Sequence, residues 1–478
     1  KYLGMLFNTF EFFYFFIIVF SFYCSLNHKW QNRMLLMASY YFYGAWDYRF
    51  LSLIMLSTAI DYFCGREIHK SIKSNKRKLF LCLSVIGNLS ILGFFKYFNF
   101  FIENFQLLFN TLGSSINLNY IQVVLPVGIS FYTFQTMSYS FDIYNKKIEP
   151  TNNIFDFALF VSFFPQLIAG PIEKARHLMP QILNKRKITL DYLFEGSYLI
   201  FWGLFLKSFV ADNLAKSIVN PIFQSNSFYN GTEVLIALYA FSFQIFCDFA
   251  GYSSIARGIG KCMGFNLTLN FNLPYFSTNP KMFWQRWHIS LSSWFKEYLY
   301  IPLGGNKNGR VKTYRNLLVV MFFAGLWHGA AWTYILWGTY HATLLIVYRL
   351  ANPVLERYKM PEIILLKKLV DLLKIIIFYH LVCIGWLIFR ADSIAQAYQM
   401  FFSLFNDFEF SLKGVGLKTM IYYLWILLPI QIFQYWKNDY FVVFSFKPII
   451  QILLYLVMFY SLLLLGVTDY DPFIYFQF

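Results

Sequence analysis

The chain has 478 residues, of which 58% are hydrophobic and only 13% charged, and Phe alone accounts for 59. So few charges do not keep that much apolar side chain in water, which excludes a soluble globular protein and makes this an integral membrane protein. Lys and Arg number 40 against 24 Asp and Glu, a net charge of +16; the excess lies in short loops, where the positive-inside rule requires it, and so argues for topology and against nucleic acid as a partner.

Apolar runs recur near residues 7–26, 35–63, 79–95, 123–141, 193–210, 234–249, 317–348, 375–389, 420–433 and 449–465. At about 20 residues per helical crossing, with the longer runs holding two segments or one broken one, they predict roughly 10 to 12 membrane helices. A closed barrel is excluded because its strands alternate apolar and polar positions and these runs do not. Cys24, Cys64, Cys82, Cys247, Cys262 and Cys383 stand singly, with no C-x-x-C pair, so neither a zinc site nor a disulfide framework is indicated.

Along the chain, residues 65–78 carry Arg66, Lys70, Lys73, Lys76, Arg77 and Lys78 against Glu67, which places this loop on the cytoplasmic side. Residues 104–120 carry almost no basic side chain and fit an external loop with an interfacial helix. Residues 154–172 are apolar but flanked by basic residues on both sides, and they contain Pro165 and the pair Gly170-Pro171. A single crossing would put one flank outside, and the prolines break a helix, so the segment reads as re-entrant. Asp248 closes the run 234–249 and either caps a helix that begins after it or belongs to a site. Residues 281–315 hold Lys281, Arg286, Lys296, Lys307, Arg310, Lys312 and Arg315 against Glu297, and belong in or at the cytoplasmic face. The whole of 1–478 reads as one membrane domain, with residues 472–478 as an extracytoplasmic aromatic tail.

The chemistry is sought where that basic, Trp-rich segment leads into Leu326-Trp327-His328-Gly329. An ionisable ring among Val, Met, Phe, Leu and Trp at bilayer depth marks a functional position. No second copy of this pattern exists to support the inverted repeats common in transporters. Neither an Arg-spaced voltage sensor nor a His-x-x-x-His metal motif is present, so no metal is expected. The arrangement suits acyl transfer: basic side chains hold the phosphates of a thioester donor, and a buried, neutral imidazole takes the proton of an attacking hydroxyl.

Four stretches, FWQRWHISLSSWFKEYLYIPLGGN (283–306), GLWHGAAWTYILWG (325–338), FFPQLIAGPI (163–172) and the ending PFIYFQF (472–478), resemble the membrane-bound O-acyltransferase family. The likeness is to its bacterial branch of alginate and peptidoglycan O-acetylation proteins. The resemblance implies an all-α polytopic fold: a ring of about 11 transmembrane helices, with re-entrant and cytoplasmic interfacial helices, around a central tunnel. It implies residence in the bacterial cytoplasmic (inner) membrane among lipid, with acetyl-CoA as acyl donor and no bound cofactor. His328 becomes the family's catalytic histidine and His288 the second.

The acetyl group would pass across the membrane to an envelope polysaccharide through an extracytoplasmic SGNH-type partner. Peptidoglycan N-acetylmuramic acid is the first expectation and alginate or another exopolysaccharide the second. A carrier transporter or scaffold without covalent chemistry is the competing class. By the same resemblance Tyr475 is a candidate acyl acceptor; otherwise Phe473, Tyr475, Phe476 and Phe478 form an interfacial aromatic belt. His288 either hydrogen-bonds a helix end or positions the donor. Arg286, Trp287 and Lys307 are candidate donor contacts, although Trp284, Trp287 and Trp294 also suit interface anchors. Glu297 is a further site candidate, with Arg286 or Lys296 as its partner. His341 reads as structural, and His177 and His380 carry no motif.

Overall fold

The computed structural model describes residues 5–114, 118, 121, 124–168, 170–224, 230–355, 363–408 and 415–467. Regular structure among the described residues is helical throughout, with no strand. This is the all-α fold that the long apolar runs require, since a helix satisfies its own backbone groups in lipid. The chain packs as two compact units, residues 1–200 with 255–268, and residues 201–254 with 269–478.

The first unit holds α1 (Phe10–Ser25), α2 (His28–Asp47), α3 (Leu51–Lys70), α4 (Ser74–Leu92), α5 (Phe98–Thr111), α6 (Ile129–Tyr144), α7 (Ile154–Ser162), α8 (Phe164–Leu167), α9 (Ala175–Leu183) and the start of α10 (Leu190–Leu204). Side chains of Thr9, Asn27 and Asn153 cap α1, α2 and α7 by accepting a first-turn N–H. Between α3, α4 and α6, Asp61 is wholly buried, and its carboxylate accepts hydrogen bonds from Ser84, from Asn88 at 2.6 Å and from Ser140 at 2.7 Å. Such a satisfied polar knot joins apolar helices where no water competes. A wide turn over residues 93–97 joins α4 to α5 into one helical run, Ser74–Thr111. The helix thus continues past the point where the apolar run stops.

Residues 154–172 are broken, as the prolines foretell. Helix α7 has nine residues and ends at Phe163, and α8 has four. At 1.5 Å per residue α7 is about 14 Å long, under half of the hydrocarbon thickness, so it does not cross. Residues 157–168 are buried, which is where irregular backbone is tolerated at depth. Beyond it, the wholly buried Glu173 accepts from the Thr268 N–H and hydroxyl and pairs with Nδ1 of His177 at 2.6 Å.

The second unit opens with wide helical turns over 205–211 and 215–219 around α11 (Asp212–Leu214), followed by α12 (Asn220–Phe223) and the long α13 (Gly231–Cys262), whose residues from 255 onward belong to the first unit. Then come α14 (Pro280–Trp284), α15 (Ile289–Phe295), α16 (Gly309–His328), α17 (Trp332–Leu355), α18 (Ile364–Arg390), α19 (Ile394–Asn406), α20 (Val415–Leu424), α21 (Leu427–Lys437) and α22 (Pro448–Leu465). Among the described residues, five helical runs are long and apolar enough to cross a membrane: Ser74–Thr111, Leu190–Phe223, Gly231–Cys262, Ile364–Arg390 and Pro448–Leu465. The pair α20 and α21, bent by 49°, makes a sixth. These are fewer segments than the ten to twelve read from the apolar runs. Helix α1, for example, is only 16 residues long, and α2, α3 and α16 carry charged side chains within their 20.

Candidate active site

The FWQRWH stretch is broken into short pieces by its own residues. Asn279 accepts the Met282 N–H at 2.9 Å and Pro280 takes the first helical position, so α14 starts abruptly. It ends after five residues, and the chain then turns through His288, whose φ of +42° lies in the left-handed region that rings seldom adopt. The turn is pinned from outside. Asn272 donates its N–H to the Arg286 carbonyl at 3.0 Å, Ile289 donates to the Asn270 carbonyl at 3.0 Å, and Ser290 donates to the Asn270 side chain at 3.2 Å.

His288 is wholly buried, with ring centroids of Phe249 at 4.6 Å, Trp327 at 5.6 Å and Phe271 at 6.4 Å. Burial pushes its imidazole down to about 3, because the charged form loses its hydration. At neutral pH the ring is therefore uncharged. His288 directly precedes α15, but its side chain makes no capping hydrogen bond to that helix; the ring lies instead inside an aromatic enclosure.

His328 is the last residue of α16. Helices α16 and α17 form a hairpin that touches backbone to backbone. A Cβ on Gly325 would lie 2.2 Å from the Tyr334 carbonyl oxygen, and one on Gly338 would lie 2.2 Å from that of Met321. Side chains cannot stand at either place, and this close contact fixes His328 against α17. The imidazole is 3% exposed and meets three rings nearly at right angles: Trp327 at 5.1 Å, Trp337 at 4.9 Å and Phe389 at 5.3 Å. Trp327 thus touches both histidines, and the structure brings His288 and His328 together across a single indole.

The other candidates fall variously. Trp287 is buried, stacked on Phe283 at 5.6 Å and packed against Trp386 at 4.7 Å, and Trp294 is buried too, so neither stands at a surface as an interface anchor would. Arg286 is half-buried and its Nη1 reaches the Leu273 carbonyl at 3.4 Å, Lys307 is exposed, and Glu297 is half-buried in the wide turn over 296–300. Neither Arg286 nor Lys307 is drawn into the ring enclosure by a contact that the structure records.

Asp248 corrects one expectation. It caps nothing, because α13 runs unbroken from Gly231 to Cys262; instead it pairs with Lys207 at 2.8 Å, and Lys207 also pairs with Asp212 at 2.7 Å. Lys207 is 1% exposed and both carboxylates are buried. Lys207 and Asp212 were not singled out from sequence, although a Lys and an Asp inside an apolar run were a signal for them. Tyr475, with the whole of 472–478, lies outside the described residues. His341 is wholly buried, 5.0 Å from Trp337 and 5.2 Å from Trp284, a packing that its structural reading allows.

Two histidines buried among aromatic rings in an all-α membrane protein are the arrangement in which acid–base chemistry is sought. Residues 145–385 match the model of MBOAT, the membrane-bound O-acyltransferase family. The chain is 38% identical over 389 residues to "Probable alginate O-acetylase AlgI" of Azotobacter vinelandii, covering 81% of this chain and 75% of that one. It is 39% identical over 404 residues to the protein of the same name from Pseudomonas aeruginosa, covering 84% and 75%. With the "Peptidoglycan O-acetyltransferase" of Helicobacter pylori it shares 36% identity over 399 residues, covering 78% and 73%. The chain belongs to the membrane-bound O-acyltransferase family, and is a multi-pass membrane enzyme that transfers acyl groups.

Proposed function

We propose that this enzyme takes acetyl from cytoplasmic acetyl-CoA and passes it across the bacterial cytoplasmic membrane for O-acetylation of a cell-envelope polysaccharide. Peptidoglycan is the acceptor we put first. Alginate or another exopolysaccharide is the second reading, favoured by relatives at 38% and 39% identity whose names give alginate, against 36% for the peptidoglycan one. An extracytoplasmic SGNH-type partner delivers the acetyl group to the glycan.

The observation that carries this reading is the meeting of His288 and His328 across Trp327. The chemistry follows from it. A hydroxyl attacks the thioester carbonyl carbon while His328 accepts its proton; the carbonyl π electrons move onto oxygen; the C–S bond then breaks, and the thiolate recovers the proton from the imidazolium. His288, uncharged, orients a reacting group without adding a competing cation. The hydroxyl that receives the acetyl in this step is the Tyr475 phenol in our reading. A phenol with pKa near 10 stays protonated at neutral pH and needs such a base.

The test is acetyl transfer by the purified protein from acetyl-CoA, followed by mass spectrometry. His328→Ala is expected to lower the rate by about 10²- to 10⁴-fold, and an acetyl ester is expected on Tyr475. A transporter or scaffold would keep most of its activity without His328, and that outcome would overturn the enzymatic role given to this residue. Acetyl found on His328 in place of Tyr475 would replace the phenol relay with an acyl-imidazole.

A further inference from the structure

We infer that Trp337 is a catalytic residue of this site: its indole N–H is the donor that stabilises the oxyanion formed when the thioester carbonyl is attacked beside His328. The inference rests on the acyl transfer proposed above, because it names the group that receives the negative charge which that step creates.

Three observations converge on Trp337. Its ring is wholly buried and lies 4.9 Å from the His328 ring at 86°. Its Nε1 is buried, and no acceptor among the described residues takes its proton. An indole nitrogen only donates, so it has no alternative way to be satisfied, and a buried donor left without an acceptor costs about 1–3 kcal/mol. Finally, four further rings pack against it: Trp386 at 6.0 Å and 21° from parallel, Phe389 at 5.3 Å, His341 at 5.0 Å and Trp284 at 5.8 Å. The residue that follows it is Gly338, whose Cα is within 3.4 Å of where a Cβ on Gly325 would stand. The hairpin that sets His328 therefore sets Trp337 by the same contact.

A donor of this kind stabilises charge only if it is fixed before the charge appears and is shielded from water, and both conditions hold here. Trp284 also carries a buried N–H without an acceptor among the described residues, but its ring contacts are with Phe283, Trp337 and His341 and not with His328. It is one ring too far from the base. In the step itself Trp337 neither gains nor loses an atom. Its N–H donates to the carbonyl oxygen as the π electrons move there, and is released when the C–S bond breaks and the carbonyl re-forms.

The decisive variant replaces Trp337 with 3-benzothienylalanine, in which sulfur takes the place of N–H and the ring keeps its outline. With the full-length protein and acetyl-CoA, the expected result is a fall in kcat of about 10²- to 10³-fold with KM for acetyl-CoA nearly unchanged. Trp337→Phe, which also lacks the donor, is expected to lose at least as much. A benzothienyl variant that melts like the wild type and keeps kcat within about threefold would show that the indole only fills space. If His328→Ala retains activity in the same assay, the acyl-transfer reading fails first and takes this inference with it. An assay that depends on His328 but is indifferent to the Trp337 N–H overturns the inference alone.

Discussion

On conformational grounds position 288 asks for Gly or Asn, since a φ of +42° brings a Cβ close to its own backbone. Finding a histidine there, wholly buried against Phe249 and Trp327, means that the ring contributes something that a better backbone fit would not. The two roles separate by experiment. His288→Asn relieves the backbone and removes the imidazole. It is expected to fold at least as stably as the wild type while losing acetyl transfer; near-normal turnover in this variant would reduce His288 to a helix end. The ring also carries a pH signature. Its pKa falls from an ordinary 6.5 to about 3 in the folded chain, so between those values the unfolded chain binds a proton that the folded chain refuses. Stability is thus fully present above about 6.5 and declines as the solution is acidified through that window, a slope that His288→Asn should flatten in thermal melts. From sequence the two readings of His288 were both legible, as a helix end and as part of a site. What sequence did not supply was the left-handed turn at His288, which depends on Asn270 reaching across to residues 289 and 290.

Among the elements, the α16–α17 hairpin sets the site, and its contact is made of glycine. Adding one methyl at Gly325 places carbon 2.2 Å from the Tyr334 carbonyl oxygen, which is backbone and cannot swing aside. Gly325→Ala should therefore force the helices apart, lower the melting temperature by an amount equivalent to about 1–3 kcal/mol, and reduce acetyl transfer more than stability, because His328 and Trp337 would move relative to each other. Melting and turnover measured on the same preparation check both parts; an unchanged melt would mean that the hairpin is looser than this contact. The break at residues 154–172 was legible because proline acts on its own neighbours. The continuity of α13 through Asp248 was not, because what lets a carboxylate sit inside an apolar helix is Lys207, far away in sequence. Local pattern treats an acid at the end of an apolar run as a boundary, and only tertiary pairing removes that boundary.

At the scale of the molecule, the membrane class was legible in composition, because no packing arrangement hides so much apolar surface from water, and the two histidines were legible as motifs. Which rings surround them was not, since Trp337 and Phe389 come from α17 and α18 and read in one dimension as ordinary membrane-helix residues. The charged triad of Lys207, Asp212 and Asp248 ties the wide-turned start of the second unit to α13. Removing its cation leaves two carboxylates buried. Lys207→Met is expected to destabilise the folded protein by about 3–5 kcal/mol, and combining it with Asp248→Asn should recover part of that loss. Thermal melting in detergent of both variants checks this, and a single variant as stable as the wild type would show that the carboxylates are held by other means.

The enclosure of His328 by Trp327, Trp337 and Phe389 leaves 3% of the residue open to solvent. In the acyl transfer proposed above, a thioester brought to His328 would meet few stray nucleophiles, for the rings that support the imidazole would also bar water, its commonest rival for the acyl carbon. On that proposal hydrolysis would be suppressed without any residue devoted to preventing it, and an activated acetyl group would survive long enough to be handed on.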